Sequence, residues 1–388
     1  VPYYRQLGEI PAKRHQAFRT PAGGLYAEEL MGNDGFAGES ALLYHRHGPT
    51  EIVNARETFL DDRTLTPNVP LLPRHLRGAK LRGQGGDAVT NRAVLLGNED
   101  VTLAYASASR PSPLYRNAIG DECVYVVAGN GDLETVFGTL RVAAGDYVII
   151  PTSTTHRWLP KETLELYFIE SRGHIGVPRR YLTPRGQHLE SAPFSERDLH
   201  GPNAPLLKDG EDVDVIVRHS GAVTTYTYAH HPFDVVGWDG CLYPYIFNIA
   251  DFEPIVKRFH APPPVHQTFE GPNFVVCSFA PRPFDFDETA VPVPYNHANV
   301  DSDEVLLYVE GNFMSRSGSG IEAGSLSLHP SGFIHGPQPG SVEAALGQPG
   351  TEELAVMVDT FRPLSLGTTA ALIEDSGYPW TWARRHQE

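Results

Sequence analysis

The chain has 388 residues, 41% of them hydrophobic and 20% charged, the profile of a globular protein long enough for two domains. Its net charge of −16 argues against nucleic acid or an anionic membrane surface as partner, and it contains no apolar run of 18 residues. Plentiful Gly (37) and Pro (33) favour short strands and turns over long helices.

The amino end, VPYYRQLGEIPAKRH, lacks the apolar core of a signal peptide. Residues 1–90 are polar, Pro-rich and weakly periodic, and read as an arm with a few strands. Past residue 100 come short β-branched or aromatic runs broken by Gly and Pro: CVYVVAG, LETVFGTL and DYVIIP. A polar connector covers 172–212. A second strand-rich region runs from 213 to 360, with DVIVRH, NFVVCSF, EVLLYVEG and ELAVMVD. The best helical signal is short and lies near TTAALIED. Cys123, Cys241 and Cys277 are far apart in apolar surroundings, and read as buried thiols in a reducing, cytoplasmic setting.

The two halves share one grammar. Glu122 is followed by six residues and then Gly129, and Gly145 leads to Pro151 and then His156. Glu304 is followed at the same interval by Gly311, and Gly324 leads to Pro330 and His335 with the same gaps. Asn117 and Asn299 each stand five positions before the Glu. Agreement at this many offsets implies one β-barrel unit used twice. The spacing resembles the cupin barrel in both copies. The expected fold is therefore all-β, with tandem cupin (double-stranded β-helix, jelly-roll) barrels, an N-terminal arm and few short helices. Residues 1–200 would form the arm and a degenerate structural barrel, and residues 201–388 a catalytic one.

In the second copy His297, Asn299, Glu304 and His335 fall where side chains face the barrel mouth. An amide oxygen is a weaker ligand than imidazole, so Asn299 reads as a supporting residue. Two His and one carboxylate leave coordination positions open, a set that suits non-haem Fe(II) and O2; zinc would prefer four ligands and has no redox role. Asp303 is adjacent to Glu304 and faces the opposite side of a strand. Only Glu304 keeps the interval to Gly311. In the first copy Tyr115 replaces the first His, leaving Glu122 and His156, too few to hold a metal firmly.

With these residues placed, the chain resembles the homogentisate 1,2-dioxygenase family, two-cupin enzymes that cleave aromatic rings. The resemblance is carried by GFAGESALLYHR, HHPFDVVGWDGCLYPYIFN, PVPYNHANVDSDE and SLHPSGFIHGPQPG. It implies Fe(II) held by His297, Glu304 and His335, and O2-dependent opening of a 1,4-dihydroxybenzene ring bearing an acidic side chain. It implies an acid/base at His260, with His266 as rival and substrate contact. His329 would hydrogen-bond the substrate or orient its neighbours. Arg316 stands where relatives commonly carry Lys and would meet a substrate carboxylate. Asn296 and Phe313 stand at substrate-facing positions where relatives carry Tyr, so a relative of homogentisate is as compatible as homogentisate itself. The alternatives are a gentisate- or hydroquinone-type dioxygenase and a non-catalytic bicupin binding protein. The resemblance further implies a homo-oligomer, trimer or hexamer, with the arm against a neighbour.

Overall fold

A computed structural model gives the structure of residues 3–383. Strands dominate it; its two α-helices, Ser341–Ala345 and Thr368–Ile373, each span little more than one turn. The second is the helix expected near TTAALIED. Among the described residues no helix is long and apolar enough to cross a membrane, and the three cysteines are free.

The first barrel packs two sheets face to face. One carries, in spatial order, Asp146–Ile150, Glu122–Ala128, Leu164–Ser171 and Val101–Ala108. The other carries Gly138–Ala143, Asn130–Thr135, His156–Pro160 and Leu114–Asn117. Alternate residues of each strand turn inward. Val124, Val148, Leu133, Leu140, Trp158 and Phe168 meet there, all at most 3% exposed. The second barrel repeats the plan with Phe274–Phe279, Leu354–Thr360, Asp303–Glu310 and Leu326–His329 in one sheet. The short pair His297–Ala298 and Ile334–His335 faces it at the open end.

The repeat legible in the sequence is also a repeat in register. His297 pairs with His335 as Tyr115 pairs with His156. Glu304 pairs with Asp359 as Glu122 pairs with Glu170. The turn glycines have one cause. Gly129 and Gly311 sit at φ 83° and 99°, and a Cβ on either would come within 2.1 Å of a backbone carbonyl, of Thr163 and Glu352 respectively. The chain is an all-β tandem cupin.

The division expected at residue 200 is crossed by strands. Glu211–His219 pairs in parallel with Leu114–Asn117, and Tyr245–Asn248 pairs with Asp146–Ile150. Both thus extend the first barrel, and the second barrel's own strands begin at Gln267. The polar connector packs inward: its Ile175, Val177, Tyr181, Phe194 and Leu199 are buried, and Gly176 bridges Glu270 of the second barrel. The arm is also tied to its own chain. Arg5–Gly8 lies on Val235–Gly240, Ile52–Glu57 on Ala222–His230, and Arg74–Leu76 on the second barrel's Leu326–His329.

Candidate metal centre

His297 and His335 face each other across a two-residue ladder, their rings 4.3 Å apart. Glu304 enters from the second residue of Asp303–Glu310. One nitrogen or oxygen from each of the three lies within 4.8 Å of the others. The imidazoles are held in one orientation by backbone. His297 Nδ1 lies 2.9 Å from the Tyr295 carbonyl and His335 Nδ1 3.3 Å from that of Phe333. A carbonyl only accepts, so each Nδ1 carries a proton, and in the neutral ring Nε2 keeps the lone pair. Those Nε2 atoms point at the carboxylate, 4.0 Å from Oε2 and 3.4 Å from Oε1. His335 Nε2 is buried with no hydrogen-bond partner among the described residues. Two preset lone pairs and a carboxylate around one point fit a divalent cation.

Asp303 takes no part. It is buried on the other side of the strand, where its oxygens accept from the backbone N–H groups of Ser331 and Leu364, both at 2.8 Å. Asn299 accepts from the Gly332 N–H through its backbone carbonyl at 3.3 Å.

Burial alone would raise the Glu304 pKa, but its three histidine neighbours outweigh burial and hold it well below the usual carboxylate range. Glu304 in turn, ahead of burial, raises His297. Across the strand, burial and the Glu304 charge push the Asp359 carboxyl up. His329 is fully buried, its Nδ1 2.8 Å from Glu304 Oε1 and its Nε2 2.8 Å from the Tyr378 hydroxyl. Burial, with the nearby charge of Arg316, pushes its pKa down to about 3, so the ring is neutral.

The first barrel shows what the same framework does without two histidines. Its paired carboxylates, Glu122 and Glu170, are joined by the buried Arg92 guanidinium. Nη1 donates to Glu122 at 2.8 Å and to Glu170 at 2.7 Å, and Nη2 donates to Glu122 at 3.1 Å. An internal cation thus lies between the two carboxylates. By contrast, the ion pairs of Glu304 among the described residues are all with histidines.

A cavity of about 160 Å³ adjoins the second-barrel cluster. His297 and Glu304 line it, with His260, His266, Tyr308 and Arg316. His260 is exposed, its ring 5.0 Å from Tyr295. His266 is buried against Phe279, with an unpartnered Nδ1, and burial followed by the Arg282 charge pushes it down to about 3. Arg316 is buried. Its Nε donates to the Tyr308 hydroxyl at 3.1 Å and its Nη1 to the Gly336 carbonyl at 2.8 Å. Among the described residues its Nη2 has no protein acceptor.

Of the residues expected to contact or act on a substrate, three stand outside this lining. Phe313 is buried edge-on to Tyr308, rings 4.9 Å apart, in a small apolar cluster. Asn296 is exposed beside Gly336. His329 has both nitrogens engaged behind Glu304. Conversely, Tyr308, Arg282 and Glu353 line the cavity and were not singled out. Tyr308 carried a signal: Glu304, Leu306 and Tyr308 alternate along one strand face, and all three line the cavity.

The N-terminal family model of homogentisate 1,2-dioxygenase matches residues 90–249, close to the extent of the first barrel and its added strands. A Saccharolobus solfataricus protein named as a putative dioxygenase is 37% identical over 98% of this chain and 99% of its own. Homogentisate 1,2-dioxygenase of Emericella nidulans is 26% identical, covering 87% of this chain and 80% of that one. Among solved structures, a cupin 2 conserved barrel domain protein from Leptotrichia buccalis covers 80% of this chain and 98% of its own, at 10% identity and a TM-score of 0.29. With a relative this similar over nearly its whole length, and with homogentisate dioxygenases aligned across both barrels, the chain belongs to the homogentisate 1,2-dioxygenase family.

Proposed function

We propose that this protein is an Fe(II)-dependent dioxygenase that opens the ring of a 1,4-dihydroxybenzene bearing an acidic side chain. The observation that carries the reading is the pair of histidines whose Nδ1 protons are fixed on backbone carbonyls, so that two Nε2 lone pairs and Glu304 converge beside a cavity. His297, Glu304 and His335 would hold the ion. When bound, Fe(II) supplies a shared site for diol and dioxygen and the spin-allowed electron transfer between them.

The chain's own residues do the rest. Arg316, held by Tyr308 and Gly336, keeps a guanidinium donor for a substrate carboxylate. Arg282 puts a second cation in the same lining, which favours an anionic substrate over a plain hydroquinone. His260, exposed at the lining, can exchange protons with solvent and suits the acid/base step at a ring hydroxyl. His266 is held neutral and buried, and its free Nδ1 suits a hydrogen bond to the substrate. Phe279, Phe284 and Met357 present an apolar wall to an aromatic ring.

Anaerobic loading with Fe(II), followed by oxygen uptake on a panel of dihydroxybenzenes, tests the reading. The expected result is uptake with acid-bearing 1,4-diols and a product mass equal to substrate plus both atoms of O2. Turnover restricted to diols lacking an acidic arm would shift the reading to a hydroquinone-type enzyme. Binding of the same diols without uptake would leave a bicupin binding protein.

A further inference from the structure

Side-chain contacts approach the cavity and the carboxylate from two sides. Arg316 Nε lies 3.1 Å from the Tyr308 hydroxyl, which lies 3.1 Å from Ser327 Oγ. The Tyr378 hydroxyl lies 2.8 Å from His329 Nε2, and His329 Nδ1 lies 2.8 Å from Glu304 Oε1. Arg316, Tyr308, Ser327, His329 and Tyr378 are all buried. Tyr378 comes from a 3-10 turn, Tyr378–Trp380, near the end of the chain. That turn is anchored beside the site: the Trp382 indole N–H donates to the Gly336 carbonyl at 3.1 Å, and Gln338 bonds Thr381 at 3.0 Å.

A carboxylate only accepts, so His329 gives its Nδ1 proton to Glu304. The other ring nitrogen meets the Tyr378 hydroxyl, and both contacts are buried. A buried ring held at both nitrogens keeps one orientation, because turning it leaves buried polar groups unsatisfied.

We infer that Tyr378 is a positioning residue of the metal centre: through His329 it fixes the orientation of Glu304. This rests on the metal reading of the site. Loss of the Tyr378 hydroxyl leaves the His329 ring held at one nitrogen only, free to turn and to take the Glu304 carboxylate with it. Partners beyond the ligands typically change metal affinity by about 10- to 100-fold. Tyr378 acts through one more residue, so the effect expected is about tenfold.

The test is anaerobic titration with Co(II), whose visible spectrum reports ligand geometry without any turnover. Wild type should bind one Co(II). Tyr378→Phe, with its circular dichroism unchanged, should bind about tenfold more weakly with a shifted spectrum, and His329→Gln should move both in the same direction. Tyr378→Phe binding like wild type in both affinity and spectrum would overturn the inference while leaving the metal site intact. Wild type taking up no Co(II) would remove the metal reading and the inference with it. If Tyr378→Phe does not fold, His329→Gln carries the test alone, and wild-type behaviour in it overturns the inference. In the metal-free protein, 15N shifts of the histidines give a separate readout. His329 should show a protonated Nδ1, and a bare Nδ1 would contradict the inference.

Discussion

Replacing Arg92 by Met tests whether the first barrel is held by an internal cation where the second has none. Met keeps most of the apolar stem, which lies with its guanidinium carbon 3.9 Å from the Phe168 ring centroid, and removes the charge. Three charge-assisted hydrogen bonds to two carboxylates are lost, along with the Nε bond to the Ala88 carbonyl at 2.8 Å. Removing one partner from a buried ion pair costs about 3–5 kcal/mol, chiefly because the other charge stays buried. Glu170 keeps Arg63, and Glu122 keeps the Asn117 amide at 3.0 Å. The expected loss is therefore at the low end, about 3 kcal/mol. It would be read as a fall in the urea midpoint, with the slope checked so that the change is one of stability. An uncompensated buried carboxylate is relieved by protonation, so the penalty should be larger at pH 8 than at pH 5. Adding Glu122→Gln should restore at least half of it, since the charge left behind is then gone. A loss under about 1 kcal/mol, or a penalty equal at the two pH values, would refute the reasoning.

Two further outcomes follow from the same geometry. His335→Ala should lower divalent-metal affinity by more than about 100-fold, beyond the range of supporting residues. Asp303→Asn should leave metal binding intact but cost about 1–3 kcal/mol, because an amide NH2 would meet the backbone N–H of Ser331 or Leu364; an Asp303 variant that loses metal while staying folded would contradict the ligand set. The third concerns pH. Burial alone would lower His45, but the hydrogen bonds its ring donates to Asp234 at 2.6 Å and Glu29 at 2.9 Å raise it to about 9. A raised pKa stabilises the fold fully below the unfolded value of 6.5, and that stabilisation is lost as pH rises through about 9. Stability should thus fall between those limits by at most about 3 kcal/mol, at 1.36 kcal/mol per pKa unit. His45→Gln should flatten the fall, and an unchanged slope in that variant would show that His45 is not its source.

What was legible in the sequence was what strand geometry sets locally. Intervals such as Glu304 to Gly311 are fixed by a strand and its turn, so they survive from copy to copy and announce both barrels. The adjacency of Asp303 and Glu304 settles their facing for the same reason. The interval from Glu304 to Phe313 runs past the turn at Gly311, where the two-residue period lapses, and Phe313 packs behind Tyr308 instead of lining the cavity. The boundary at 200 failed because strand pairing is not local. Nothing in DVIVRH says that its partner is Leu114–Asn117 of the barrel before it. Arg92 and Tyr378 were missed for the same reason. Arg92 reaches Glu122 across 30 positions and Tyr378 reaches His329 across 49, and neither interval is held by one element.

The two barrels meet one electrostatic problem and answer it differently. Each brings two carboxylates together on neighbouring strands, Glu122 with Glu170 and Glu304 with Asp359. In the first, a guanidinium always charged and always present joins them, so the barrel closes on its own. In the second, burial and the Glu304 charge push Asp359 up, three histidines hold Glu304 down, and the buried His335 Nε2 has no hydrogen-bond partner among the described residues. Tyr115 in place of a histidine and Arg92 between the carboxylates are therefore one change seen twice. A barrel with one imidazole cannot hold a divalent ion against competing water, and the buried charge then needs a cation from the chain itself. On the metal reading proposed above, a barrel with two imidazoles needs none, provided something holds the carboxylate still, and His329 with Tyr378 behind it is placed to do so.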